Sequence, residues 1–434
     1  MDKKVYDYLI VEPDKSTLHR VGEDPVVYEE GRLTDEAKAR YLSIRKELEN
    51  GYLENIIKEC SQPDIEIESL SDEHMKVIDN LVNSITSEVG RAIVGLSVLQ
   101  LTLKSIEPNQ SIRLHKGSSN SNAFSWREGI PMRVLDKNFI TPVFRKYGLL
   151  KLNAYGIMMT RSLAENYPYS GLYKAAIRGA KTEWVDLTNF VEDGKVDATD
   201  ALKHIISSLL NKSDEFQKLS DATLDSMSNF LISGADYESI LSLIEEFVDS
   251  SEYSARIFEV SIHAFFQALD EFKVLGGYLK PLSQMRSANK KHGNIGDIEI
   301  AAEKNSMSIL ESWDAKYGKS YMRDELEELS DKLELHVETE LAGFVTNQAP
   351  DLREEISNRT IEIEEIFNVK IEILSFKDWV NYQTERFDID RDELGHTWLQ
   401  CFTESLCQKR RAIAPIDEHT FEWVSGLKTL IEKN

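Results

Sequence analysis

The chain has 434 residues, of which 41% are hydrophobic, so it is long enough for two or three domains around a substantial core. No apolar run reaches transmembrane length and the opening MDKKVYDYLIVEPDKS has no signal-peptide core, so a soluble protein without membrane contact is expected, and the odd count of three cysteines suits a reducing cytoplasm. Cys60, Cys401 and Cys407 form no CxxC pair, the nine histidines form no HExxH or HxxxH pair, and no GxxxxGK[ST] segment is present; this excludes a disulfide framework, a structural zinc site, a zinc hydrolase and an ATP-driven motor with its nucleotide cofactor.

The net charge of −24 argues at first against nucleic acid, because backbone binding needs Lys and Arg to neutralise phosphates. Its distribution argues otherwise. Residues 111–182 hold twelve basic and three acidic side chains, a net +9, so the remainder carries −33. A basic face on an acidic body suits a DNA-binding protein.

In chain order, residues 1–32 read as irregular. A helical pattern runs over 34–58, with Thr34 as N-cap and Asp35 and Glu36 after it. Residues 71–106 are apolar with helical periodicity and start at Ser71, while Gly90 and Gly95 mark a break or close packing. Together 1–107 reads as a helical N-terminal region, and 108–190 as a basic recognition region. There, 115–122 is a polar loop, 142–150 a short helix stopping at Gly148, and 149–159 a β-wing turning near Gly156. Basic residues mixed with Asn, Ser, Tyr and Trp supply phosphate contacts and groove-edge hydrogen bonds to double-stranded DNA. The candidates are Asn120, Asn122, Arg127, Arg133, Lys137, Arg145, Lys146 and Arg161. Residues 191–250 form an acidic helical connector broken at Gly234-Ala235-Asp236.

From 251 to the end the pattern changes. Apolar positions 257, 258, 262, 265, 266 and 269 follow helical spacing. Lys290 and Lys291 sit in a basic loop that suits a DNA backbone or a solvated turn equally. Two strand-like runs follow, 297–300 and 309–316, then a helix over 322–335, a strand over 340–346, a helix over 352–367 and a strand over 369–374. The last stretch, 376–434, carries Trp379, Trp398 and Trp423 in helical settings that suit a core or a dimer interface.

The two strand-like runs carry the chemistry. Strand residues i and i+2 share a face, so Asp314 and Lys316 project together, with Ala315 on the other side. If the runs pair as a hairpin, Asp297 sits beside Asp314. Two carboxylates and an ammonium at one point suit magnesium-dependent phosphodiester hydrolysis, because Mg²⁺ takes carboxylate oxygens, orients water and stabilises developing charge. Lys316 then holds the scissile phosphate or orients the attacking water. Glu299 shares the face of Asp297 and competes as a ligand, whereas Glu311 lies three residues before Asp314 and reads as structural. The bland alternative is that Asp297, Asp314 and Lys316 are ordinary charges of an edge strand.

Asp297 with Asp314-Ala315-Lys316 resembles the PD-(D/E)XK nuclease superfamily, to which most type II restriction endonucleases belong; Gly296 stands where the motif has Pro. The segments Phe124-Ser125-Trp126-Arg127, Ile130-Pro131 and Asn166-Tyr167-Pro168-Tyr169 loosely resemble the central region of some of those enzymes. The resemblance implies an α+β chain with an α/β nuclease core over 251–434, a mixed sheet flanked by helices in the order αβββαβ, with the helix over 322–335 inserted between the second and third strands. It implies a sequence-specific, Mg²⁺-dependent double-stranded DNA endonuclease acting as a homodimer, with metal at Asp297, Asp314 and the Ala315 carbonyl, Lys316 at the scissile phosphate, and Glu259 on the preceding helix supporting the metal shell. Two alternatives stand beside it: a repair or other defence nuclease of the same superfamily, and a non-catalytic DNA-binding regulator that reads with 111–182.

Overall fold

The computed structural model describes residues 6–62, 70–85, 89–117, 126–150, 152, 155–159, 161–165, 167–282, 294–407 and 420–434. The expectations for Asn120, Asn122, Lys290, Lys291 and the side chain of Arg161 lie outside the described residues. The chain forms two compact units, Met1–Glu215 and Phe216–Asn434.

The first unit opens with strands β1 (Tyr8–Val11), β2 (Lys15–His19) and β3 (Val26–Glu29), paired antiparallel in that order. This corrects the irregular reading of 1–32. The strands are four or five residues long and only β2 alternates, burying Ser16 and Leu18, so the sequence shows almost no period-two signal. Helices α1 (Asp35–Glu49) and α2 (Tyr52–Cys60) divide at Gly51, whose φ of 82° suits glycine. Thr34 caps α1 by accepting from the Ala37 amide at 3.1 Å. The apolar stretch that follows is two helices, α3 (Asp72–Asn83) and α4 (Arg91–Ile106).

Helix α5 (Met132–Leu135), a π turn at Asp136–Ile140 and α6 (Thr141–Lys146) make one helical run. Where a β-wing is expected, the described residues of 149–159 hold no strand, and Ile157–Met159 is a 3₁₀ turn. That turn is held by Asp136, which is buried and accepts from the Met158 amide at 2.9 Å and the Thr141 hydroxyl at 2.7 Å. Helix α7 (Lys181–Glu192) follows, then the long α8 (Ala198–Ile232). One hydrophobic core draws on Ile44, Ile57, Leu99, Phe144, Tyr169 and Trp184, so the basic region is folded into the same body as the N-terminal helices.

The second unit contains α9 (Tyr237–Ser250), α10 (Ser254–Glu271), β4 (Tyr278–Leu279), β5 (Ile298–Ala301), β6 (Ile309–Lys316), α11 (Arg323–Leu333), β7 (Leu341–Thr346), α12 (Glu354–Phe367), β8 (Lys370–Ser375), α13 (Phe376–Phe387), α14 (Arg391–Leu406) and α15 (Thr420–Lys433). It is an α+β unit with a five-stranded mixed sheet in the order β4-β5-β6-β7-β8. The pairs β4–β5 and β5–β6 are antiparallel, and β6–β7 and β7–β8 are parallel. Parallel neighbours need a crossover, usually a helix. Helix α11 is that crossover between β6 and β7, so it belongs to the sheet's connectivity and is not an insertion.

The sheet buries both faces. One carries Ile298, Ile300, Trp313, Leu341 and Val345 into a core shared with α10, α13 and α14. The other carries Ile309, Ala342, Phe344, Ile371 and Ile373 into a core with α11 and α12. Trp313 lies across Gly343, its cross-strand neighbour, where an added Cβ would come within 2.4 Å of the indole and 2.7 Å of the Glu372 carbonyl. Among the described residues no helix is long and apolar enough to cross a membrane. Gly343→Ala is expected to destabilise the protein by about 1–3 kcal/mol through overpacking of a rigid strand against a buried ring, measured as a lower urea midpoint with an unchanged slope.

Candidate active site at the β5–β6 hairpin

The antiparallel register pairs Ile298 with Trp313 and Glu299 with Ser312. One step outward, Asp297 lies opposite Asp314. The Ala315 amide donates to Asp297 Oδ2 at 3.1 Å, so the backbone of β6 itself holds that carboxylate in place. Glycine at position 296 follows from the close approach of the two strands. Its backbone passes so close to β6 that a Cβ would sit 2.7 Å from the Ser312 hydroxyl and 2.8 Å from the Trp313 carbonyl.

Asp314 and Lys316 share a face, as their spacing requires, and Lys316 Nζ meets Asp314 Oδ2 at 2.8 Å. Asp314 is only 8% exposed, and its Oδ1 has no hydrogen-bond partner. Its pKa is pushed up to about 7: burial is the largest cause, then the charge of Asp297 and a hydrogen bond between the two carboxyls, all opposed by Lys316. Burial lowers the pKa of Lys316, but Asp314, Asp297 and Glu325 outweigh it and leave the pKa raised. Lys316 is therefore a charged donor in this setting.

The other acids of the sheet are placed differently. Glu299 is buried opposite Ser312, and both its oxygens are engaged: Oε1 accepts from the Ile295 amide at 2.7 Å and Oε2 from Lys280 Nζ at 3.0 Å. Glu311 is gripped by Arg386 at 2.8 and 2.9 Å and by the Trp313 indole at 2.7 Å, a structural role. Glu259 pairs with Arg256 one turn away on α10.

A divalent cation fits the Asp297/Asp314 corner. Two carboxylates meet there with one ammonium to offset them, and one buried oxygen lacks a donor; a cation would relieve both. Among the described residues no group of three His, Cys, Asp or Glu side chains could hold one ion. Two carboxylates would therefore meet it, leaving carbonyl, phosphate and water for the other positions, the habit of Mg²⁺.

The expected DNA contacts divide. Arg133, Lys137, Arg145 and Lys146 are exposed along the run 132–146. Three of them also brace the fold, Arg133 donating to the Met158 carbonyl at 3.1 Å, Arg145 to the Leu152 carbonyl at 2.8 Å, and Lys146 pairing with Glu54 at 3.0 Å. Arg127 pairs with Glu29 at 2.6 Å. Arg113, counted in the basic excess, is buried and donates to the Tyr169 carbonyl and Asn189.

One acid escaped the sequence reading. Glu325, in the first turn of α11, comes close enough to act on Lys316. The signal was there in principle: the helix that follows a strand in a parallel crossover starts beyond that strand's carboxyl end, where sites gather. Compared with known proteins, the chain matches no family model and no curated protein.

Asp314 binds its proton more tightly folded than at the ordinary value of 3.8. A raised carboxyl pKa makes the folded state hold the proton in the window between the two values, so this group's contribution to stability falls as pH rises from about 4 to 7. With divalent ions chelated, the stability of D314N relative to the parent is expected to rise by up to about 4 kcal/mol between pH 4 and pH 8, read from urea denaturation across that range.

Proposed function

We propose that this chain is a sequence-specific, Mg²⁺-dependent endonuclease for double-stranded DNA, of the type II restriction class within the PD-(D/E)XK superfamily. The observation that carries the reading is the register of β5 on β6, which sets Asp297 opposite Asp314 with Lys316 bonded to Asp314. The element order adds support. From α10 through β4, β5, β6 and α11 to β7 it runs αβββαβ, the order that the resemblance implies, once β4 is counted and α11 is taken as its second helix.

Asp297 and Asp314, with the Ala315 carbonyl, would hold Mg²⁺. When bound, the ion supplies charge stabilisation at the phosphate and a nucleophilic water at neutral pH. Lys316, kept protonated by its acidic neighbours, donates to a non-bridging oxygen of the scissile phosphate and steadies it against the two carboxylates. The ordered amide of Ala315 keeps Asp297 aimed while substrate enters. Glu299, Glu311 and Glu259 are taken up by Lys280, Arg386 and Arg256, so the chemistry rests on Asp297, Asp314 and Lys316. The first unit supplies the DNA-facing charge, with Arg133, Lys137, Arg145 and Lys146 on its exposed helical run. Cutting both strands of a two-fold site calls for a homodimer.

Purified protein with Mg²⁺ is expected to cut plasmid or phage DNA into discrete fragments. Asp314→Ala should slow cleavage at least about a hundredfold, the scale lost with one charge-stabilising group, and still bind DNA in a gel-shift assay. If the parent leaves every such DNA uncut and shows only salt-dependent binding, the enzyme reading fails and the regulator reading takes its place. Lys137→Ala should weaken binding to all sequences alike and reduce the slope of log affinity against log salt by about 1.

A further inference from the structure

A small cavity of about 10 Å³ lies between β6 and α11, lined by Ser312, Asp314, Glu325, Glu328, Lys332 and Gly343 among others. That is room for a single water. Its acids are not equivalent. Glu328 pairs with Lys332 at 3.1 Å, and Lys332 also donates to the Ile295 carbonyl at 3.0 Å. Glu325 gives one oxygen, Oε1, to Lys319, and its side chain is 12% exposed. Its other oxygen, Oε2, is buried without a partner, and so is Oδ1 of Asp314. Two side chains that each carry an unpartnered carboxylate oxygen thus line a space the size of one water. Leaving either buried and unsatisfied is costly unless a donor arrives.

We propose that Glu325 is a positioning residue for the metal centre: its Oε2 holds a water of the hydrated divalent cation bound at Asp297 and Asp314. The inference rests on the metal reading above. Oδ1 of Asp314 is the oxygen left for the ion, and a water beside it has a hydrogen for Glu325 Oε2 and a lone pair for the same ion. An indirect role suits a water-sized cavity lined by both Asp314 and Glu325. It also follows from the chemistry of Mg²⁺, which gives up its waters reluctantly and is commonly held through them.

The test is calorimetric titration of the full chain with Mg²⁺ alone, without DNA and without any activity readout. The parent should bind the ion and D314N should lose binding. Glu325→Gln, which keeps an acceptor for Lys319, should weaken binding about tenfold, the lower end of the loss when an outer-shell partner is removed. Lys319→Met should change affinity less than about twofold. Should E325Q fail to fold by circular dichroism, Glu325→Asp, which withdraws the carboxylate from the cavity, should show the same loss. Parent-like affinity in E325Q, with D314N silent, overturns the role of Glu325 and leaves the metal centre standing. An equal loss in K319M assigns the effect to the ion pair and overturns it as well. No Mg²⁺ binding by the parent overturns both this inference and the metal reading beneath it.

Discussion

Two carboxylates and one ammonium share a buried corner, and their charges do not balance. Everything near the hairpin follows from that excess. Asp297 is held by a backbone amide of the strand that carries Asp314, so the two acids cannot drift apart without unpairing β5 from β6. Lys316 offsets one charge. The remainder appears as the raised pKa of Asp314 and as an oxygen with no donor. Structures pay for such arrangements elsewhere, and here the surrounding sheet is dense: Trp313 over Gly343 on one face, Phe344 and Ala342 on the other.

The contrast with the sheet's other buried acids sharpens the point. Glu311 is held bidentately by Arg386 and again by an indole, and Glu299 has a donor for each oxygen. These are buried charges of the satisfied kind, costly to break and quiet when intact. Asp314 lies in the same sheet, similarly buried, and is left short of donors. Carboxylates perturbed by burial and a like-charged neighbour are enriched at functional sites.

The basic excess of residues 111–182 is a weaker guide than its count suggests. Arg113 is taken up in the interior, Arg127 and Lys146 are paired with acids of the same unit, and Arg133 and Arg145 brace carbonyls near the 3₁₀ turn. A net charge counted along a sequence does not separate a solvent-facing lysine from an arginine engaged in packing. Lys137, exposed on the π turn, is a position where the two readings agree.

The sequence by itself determined the elements with strong periodicity and the local chemistry. Helices α1, α3, α4, α8, α9 and α10 and strands β5 to β8 stand close to where the sequence pattern put them: one-sided burial imposes a period on a helix, and strands buried on both faces read as short apolar runs. The pairing of Asp314 with Lys316 follows from strand geometry alone. The strands of 8–29 were invisible because they are short and largely exposed, and the 3₁₀ turn at 157–159 because Asp136 holds it from 22 residues away. Only the tertiary structure decided that Gly296 must be glycine, that α11 is a crossover demanded by parallel pairing, and that Glu325 faces the same cavity as Asp314. Each of these depends on which residues distant in sequence approach within a few ångströms, and periodicity, which records only which face is buried, carries no such distance.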